Sequence, residues 1–481
     1  MPNEASDPGV DRVQTYGYGD GVICESPQEG SHLGGPHPDP AVVNWTKALG
    51  HPVGLANGFS QAELTEQNGG IMIFPEGLVG ADGNQNSHTT YPKVVLPANK
   101  VPTSVYVTGF SELALVTVWD TDAVKGQIAV FALRADVPES FSIPYFALPN
   151  EGGFKGVHLM GYIDLPDMKT PTAIAGTGNN GSTPGGHAIG NEFASTKDPT
   201  KNIATDDTNR AAFAVDNGSR WVASAGEAVV ISRWENKATF IDLKPLFQFV
   251  RDAYFTTKEK FTASAGQGDT WAYTFDTSPE AKPVVVTTIG TPNPTAVRVS
   301  NAIGSFAKGL QTSLHAFVAN VDGEVRMYDV SGFLLAAPRP VPAAGIKELA
   351  KVQMGKNITA MRKSGRANGS MVIASRGDRA IQWLSVGETA ITIARTLRDA
   401  RITDSVTIDP NARGPGITVG DFGGSALLNF RVGKTENNDR KPPAAFGCGA
   451  LGVDADCTDF EFAGKLPLPG APYYVGTTNV N

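Results

Sequence analysis

One phrase recurs along this chain and limits what it can fold into. An apolar, strand-like run is followed by a short polar link, then Pro-Thr or an equivalent, then a second apolar run. It reads VVLPANKVPTSVYVTG at 94–109, MGYIDLPDMKTPTAIAGTG at 160–178, VVVTTIGTPNPTAVRVSN at 284–301 and LAKVQMGKNITAMRKSG at 349–365. Weaker copies are ALGHPVGLANG at 48–58, IARTLRDARITDSVTIDP at 393–410 and FAGKLPLPGAPYYVG at 462–476. Proline fixes φ, has no N–H and biases its predecessor to extended backbone, which suits a link between two strands. A unit that returns at intervals of tens of residues cannot bury its apolar face alone, so successive copies must pack on one another.

A second phrase lies between copies of the first and reads as a β-hairpin with a short polar turn. The instances are ALVTVWDTDAVKGQIAVFAL (114–133), AVVISRWENKATFIDL (228–243), HAFVANVDGEVRMYDV (315–330), MVIASRGDRAIQWLSV (371–386) and GITVGDFGGSALLNFRV (416–432). IMIFPEGLVG at 71–80 is a worn copy. The runs are rich in Val, Ile, Phe, Tyr and Trp and have strand-like lengths. Together the two phrases describe a four-stranded unit. The hairpin supplies the two middle strands, and the Pro-Thr phrase joins the outer strand of one unit to the inner strand of the next.

The order PTSVYVTG, ALVTVWDTD, GQIAVFAL resembles the YVTN-type, lactonase-like β-propeller repeat over about 50–435, with the C-terminal copy added. The resemblance implies an all-β fold: a single β-propeller of four-stranded antiparallel blades. Seven blades are expected in preference to six, the seventh combining PYYVGTTNVN with strands from 1–50. Such propellers host binding proteins, hydrolases and oxidoreductases alike, so the fold does not fix the activity.

Other segments fall outside the pattern. Residues 1–40, rich in Gly, Pro and Asp, read as an extended N-terminal strap, with the propeller over 41–481. A long polar insertion spans 178–210, and LFQFVRDAYFTTKEKFTASA at 246–265 has apolar residues near helical spacing. Residues 440–481 are expected to close the ring. They hold GCGALGVDADC, where Cys448 and Cys457 can close a small disulfide loop and leave Cys24 over. That bridge, and the remainder of the chain, point to a periplasmic or secreted protein, although no signal peptide is written in this sequence.

The balance of 40 Lys and Arg against 48 Asp and Glu gives a net charge of −8, with no concentrated basic cluster, which argues against a nucleic-acid partner. No apolar run is long enough to span a membrane. The expected state is a monomer, with a protein or small-molecule ligand.

Aligning the hairpins places an acid in each turn: Asp120 with Asp122, Glu235, Asp322, Asp378 and Asp421, with Glu76 in the worn copy. Two readings stay open. Acids are favoured in tight turns because they bond the local backbone. Alternatively Asp120, Glu235, Asp322, Asp378 and Asp421 converge on a channel mouth and hold a hard cation such as Ca²⁺. The resemblance implies the same, because lactonase-like propellers use a divalent ion to polarise a substrate carbonyl. Arg376-Gly377-Asp378 reads as turn chemistry, and Asp82 to Asn86 only begins like a Ca²⁺ loop. No nucleophile elbow or phosphate loop is present, and no catalytic residue stands out. The expected function is therefore an extracytoplasmic binding platform. The alternative is a metal-dependent, lactonase-like hydrolase.

Overall fold

The computed structural model describes residues 54–57, 70–75, 77–81, 93–108, 113–135, 154–177, 225–254, 257, 259–260, 273–300, 313–334, 337–363, 370–410, 416–432 and 460–475. The expected strap at 1–40, the insertion at 178–210, Glu76 and all three cysteines lie outside them. The chain divides into two compact units.

The first unit holds three sheets. The first is β1 (Gly54–Asn57), β2 (Gly70–Ile73), β3 (Leu78–Ala81) and β4 (Lys93–Val95). The second is β5 (Lys100–Val107), β6 (Leu113–Asp120), β7 (Lys125–Ala135) and β8 (Phe154–Leu165). The third is β9 (Ala173–Gly176), β10 (Glu227–Ser232), β11 (Lys237–Asp242) and β12 (Val284–Gly290). Helix α1 (Lys244–Tyr254) follows β11 and overlaps the first part of the 246–265 excursion that the sequence marks as helical. The second unit also holds three. The fourth sheet is β13 (Pro294–Ser300), β14 (His315–Asn320), β15 (Glu324–Asp329) and β16 (Lys347–Gln353). The fifth is β17 (Ile358–Lys363), β18 (Ser370–Ser375), β19 (Ala380–Val386) and β20 (Ile391–Arg398). The sixth is β21 (Ser405–Pro410), β22 (Gly416–Asp421), β23 (Ala426–Val432) and β24 (Phe460–Pro467).

Each sheet is a meander of four consecutive strands. Within the first unit, β1 lies against β5 and β5 against β9. Within the second, β13 lies against β17 and β17 against β21. Apolar side chains fill the space between neighbouring sheets. Ile71, Ile73 and Val79 meet Val105, Val116 and Phe131 across the first and second sheets. Phe317, Val325 and Met327 meet Met361, Ile373 and Leu384 across the fourth and fifth. The fold is all-β and of the β-propeller class, built of four-stranded antiparallel blades. Residues 1–50, assigned to a seventh blade, lie outside the described residues, and residues 471–475 carry no strand.

The Pro-Thr phrase now has a mechanical cause. In β5, β13, β17 and β21 the register to the next strand slips by one residue at the same place, at Thr103, Thr295, Thr359 and Val406. Each slip is a β-bulge, which leaves one residue unpaired and sharpens the local twist. Pro102 and Pro294 stand just before the bulged residue, where a missing N–H is tolerated. In these four strands the phrase therefore opens with a bend that turns the strand out of the link and into its sheet.

Candidate functional site

The five acids singled out above all lie where the second strand of a sheet turns into the third. That end of each sheet also carries the link that precedes the sheet. The two are joined through the main chain. The N–H of Thr121 donates to Asn99 O at 2.9 Å, Val321 to Asn293 O at 3.1 Å, Arg376 to Asn357 O at 3.0 Å and Phe422 to Asp404 O at 2.8 Å. In the third sheet the N–H of Arg233 donates to Thr172 Oγ1 at 3.3 Å. A link has no ladder partner for its own N–H groups, and buried donors need acceptors.

The carboxylates supply those acceptors. Asp120, 4% exposed at the end of β6, receives Asn99 Nδ2 at 3.0 Å and Lys100 Nζ at 2.5 Å from the link side. It also takes the turn N–H of Ala123 at 2.9 Å. The Ala123 N–H and the Lys100 ammonium hold its carboxyl far below the usual range. Asp421, at the end of β22, receives the N–H groups of Thr403 at 3.0 Å and Asp404 at 2.5 Å, and the Thr403 hydroxyl at 2.9 Å. Glu235 receives the N–H groups of Lys169 at 2.7 Å and Thr170 at 2.9 Å. Burial alone would raise its carboxyl, but those N–H groups and the Ser232 and Thr170 hydroxyls outweigh it and leave it lowered. Asp378 receives the N–H of Lys356 at 3.1 Å. Asp322 differs: its side chain is exposed, and only its main-chain oxygen is engaged, by Gln353 Nε2 at 2.7 Å.

The structure corrects the alignment of these acids. They do not share one position. Asp120 and Asp421 are the last residues of their strands, whereas Glu235 and Asp378 sit three residues beyond the strand end, and Asp322 two. The strand-end position is the regular one, held by Asp120, Ser232, Asn320, Ser375 and Asp421, all buried. Where it holds Asp, the residue three on is Ala123 or Gly424; where it holds Ser, that residue is Glu235 or Asp378. Each of these four turns thus has one carboxylate aimed at its link, supplied from either of two places. Asn320 closes its own turn, its Oδ1 taking the Glu324 N–H at 2.8 Å.

Four of the five carboxylates are engaged at their own turns, and among the described residues no three His, Cys, Asp or Glu side chains come close enough together to hold a metal ion. Arg376 of the Arg-Gly-Asp tripeptide is bidentate to Asp404, at 2.5 and 2.7 Å, and lies 5.5 Å from the Phe422 ring centroid. Beside exposed polar residues such as Asp122, Arg233 and Arg379, the turns leave large apolar side chains exposed: Trp119, Val124 and Trp234 in the first unit and Phe422 in the second. Trp234, at the tip of its turn, is 76% exposed.

Two buried groups that sequence reading passed over lie away from the turns. His315, at the start of β14, is fixed by a 2.9 Å hydrogen bond between its Nε2 and Glu388 O, and burial lowers its pKa. Glu227, at the start of β10, is fully buried, and neither carboxyl oxygen has a hydrogen-bond partner. Burial pushes its carboxyl well above the ordinary range.

No protein-family model matches the chain. No curated protein matches it either. Solved structures do. A periplasmic gluconolactonase of Pseudomonas aeruginosa is 10% identical, with a TM-score of 0.45 over 88% of this chain and 87% of that one. A Bacteroides fragilis protein described as a 6-phosphogluconolactonase is 9% identical, with a TM-score of 0.41 over 89% and 86%. Hydrazine synthase of Kuenenia stuttgartiensis is 10% identical, with a TM-score of 0.42 over 88% of each chain. Among the described residues no helix is long and apolar enough to cross a membrane.

Proposed function

We propose that the chain is a ligand-binding β-propeller whose working surface is the turn-and-link end of its sheets. One observation carries this reading. Four carboxylates of that end are turned inward to hold links, while large aromatic side chains are left facing solvent, Trp234 above all. Exposed aromatic side chains beside arginine are the composition of binding surfaces, where they supply most of the contact energy. The test is a tryptophan-fluorescence titration of the full chain with sugar acids, sugar lactones and short peptides. A responding ligand should bind at least about tenfold more weakly to Trp234→Ala. A ligand that binds both proteins equally well places the surface elsewhere.

The second reading is a lactonase-like hydrolase, in which water adds to a cyclic ester carbonyl and the ring C–O bond breaks to give a hydroxy acid. Its support is the company of solved structures, two of which bear lactonase names. A pH-stat assay on gluconolactone tests it: acid release above the uncatalysed rate, proportional to protein, is expected. Release at the blank rate, together with saturable binding, leaves the binding reading alone.

A further inference from the structure

Trp119 and Trp234 stand on neighbouring sheets of the first unit, on either side of the link that joins them. Ala114, Val116 and Val118 of β6 pack into the core shared with the first sheet. Side chains alternate along a strand, so Trp119 lies on the other face of the second sheet, the face against which β9 of the third sheet packs. Its ladder partner on β7 is Gly126. The link, residues 166–172, crosses that glycine. The Gly126 N–H donates to Met168 O at 2.8 Å, and a Cβ at Gly126 would meet the same oxygen at 2.6 Å and Pro171 Cδ at 2.9 Å. On its far side the link is held by the turn that carries Trp234. Glu235, next to Trp234, receives the N–H of Lys169 at 2.7 Å, and Lys237 Nζ donates to Asp167 O. A continuous run of contacts thus places the link between the two indoles.

The ground between the indoles is polar and mixed in sign. Asp167 and Lys169 of the link and Arg233 of the Trp234 turn are exposed, and Asp122 adds an exposed acid on the Trp119 side. That mixture selects the occupant. An anion would meet Asp122 and Asp167, and a cation would meet Lys169 and Arg233. An apolar chain would strip water from all four without replacing its hydrogen bonds. A neutral sugar ring has a face of C–H bonds that lies flat on an indole, and a rim of hydroxyls that both donate and accept, so it uses ammonium, guanidinium and carboxylate alike. Two indoles with such ground between them suit a molecule of several rings.

We propose that Trp119, the 166–172 link and Trp234 form an extended subsite for a neutral oligosaccharide. Each indole stacks one sugar ring, and Asp167, Lys169 and Arg233 bond the hydroxyls between them. The subsite lies on the surface proposed above for binding, rests on that reading and narrows its ligand.

Calorimetric titration of the full chain with cello-, manno- and xylo-oligosaccharides, from monomer to hexamer, tests it. In at least one series affinity should rise at least about tenfold from the disaccharide to the longest member, because a ligand held by one indole reaches the other without a second encounter. That affinity should hold between low and high salt, since the ligand carries no charge. Trp119→Ala and Trp234→Ala should each abolish the gain with length, leaving the longest member within about twofold of the disaccharide. No binding in any of the three series, or a gain with length that survives either substitution, overturns the subsite. Oxidation by N-bromosuccinimide, read by peptide mass spectrometry, needs no substitution. The longest bound member should shield both Trp119 and Trp234, and shielding of one alone overturns the proposal as well. The broader reading is judged separately. A sugar acid or a peptide that loses affinity on Trp234→Ala, where no oligosaccharide binds, leaves this end as the binding surface and removes the subsite. An oligosaccharide that binds the native and Trp234→Ala proteins equally removes both.

Discussion

Glu235 and Glu227 sit on one hairpin of the third sheet and have opposite surroundings. Glu235, in the turn, takes two main-chain N–H groups and two hydroxyls on one oxygen, and its carboxyl is lowered. Glu227, at the other end of the strand, takes nothing and is raised. The same side chain is an anion that holds a link in one place and a buried acid without a hydrogen-bond partner in the other. What differs is the supply of donors. A link brings unpaired N–H groups to the turn end, whereas β10 begins inside a ladder whose N–H groups are already used.

The largest effect should come from the Glu227 end. A carboxyl raised on folding binds a proton that the unfolded chain has released, so stability is full below the ordinary glutamate range and falls as pH rises through the raised value. The slope between those limits is about 1.4 kcal/mol per pH unit. Glu227→Gln carries no such proton. Denaturation midpoints of the two proteins at a series of pH values should therefore diverge in favour of the variant as pH rises. Parallel curves would mean that Glu227 is charged or solvated in the folded state.

Next is the Glu235 end. Glu235→Ala leaves the N–H groups of Lys169 and Thr170 without their acceptor, and a loss of about 2 kcal/mol is expected from equilibrium denaturation. The second and sixth sheets show how to repair it, because they carry their carboxylate at the strand end with Ala or Gly three residues on. Adding Ser232→Asp to Glu235→Ala should restore at least half of that loss, a coupling that independent sites would not show. No recovery would mean that the two positions do not serve the same link.

These comparisons also show what was legible in the sequence. The Pro-Thr phrase made the sheets legible because it marks where a link enters a first strand, and in β5 and β13 its proline stands at the opening bulge, where no N–H is needed. The acids were visible as a class, yet their order was not. A Ser at the strand end with Glu235 three residues on does in the third sheet what Asp120 does alone in the second, and letters aligned by turn merge the two. Glu227 was invisible for a different reason. In GEAVVIS it reads as the polar flank of a strand, and nothing in the local sequence marks it as buried.

The smallest effect concerns backbone strain at the same turn ends. The residue four beyond the strand end is left-handed in four of the turns: Val124 at φ 51°, Asn236 at φ 56°, Arg379 at φ 50° and Ser425 at φ 43°. Asparagine enters that region readily, whereas a β-branched side chain crowds its own backbone there. Val124 is also 54% exposed, so little packing offsets the strain. Val124→Asn copies the third sheet's turn into the second and should stabilise the protein by about 1 kcal/mol, with the denaturant slope unchanged. The reverse exchange, Asn236→Val, should cost a similar amount. If both variants keep the native midpoint, the exposed valine is held there without strain, and its retention on the turn end would have to be explained by what it touches in a bound ligand.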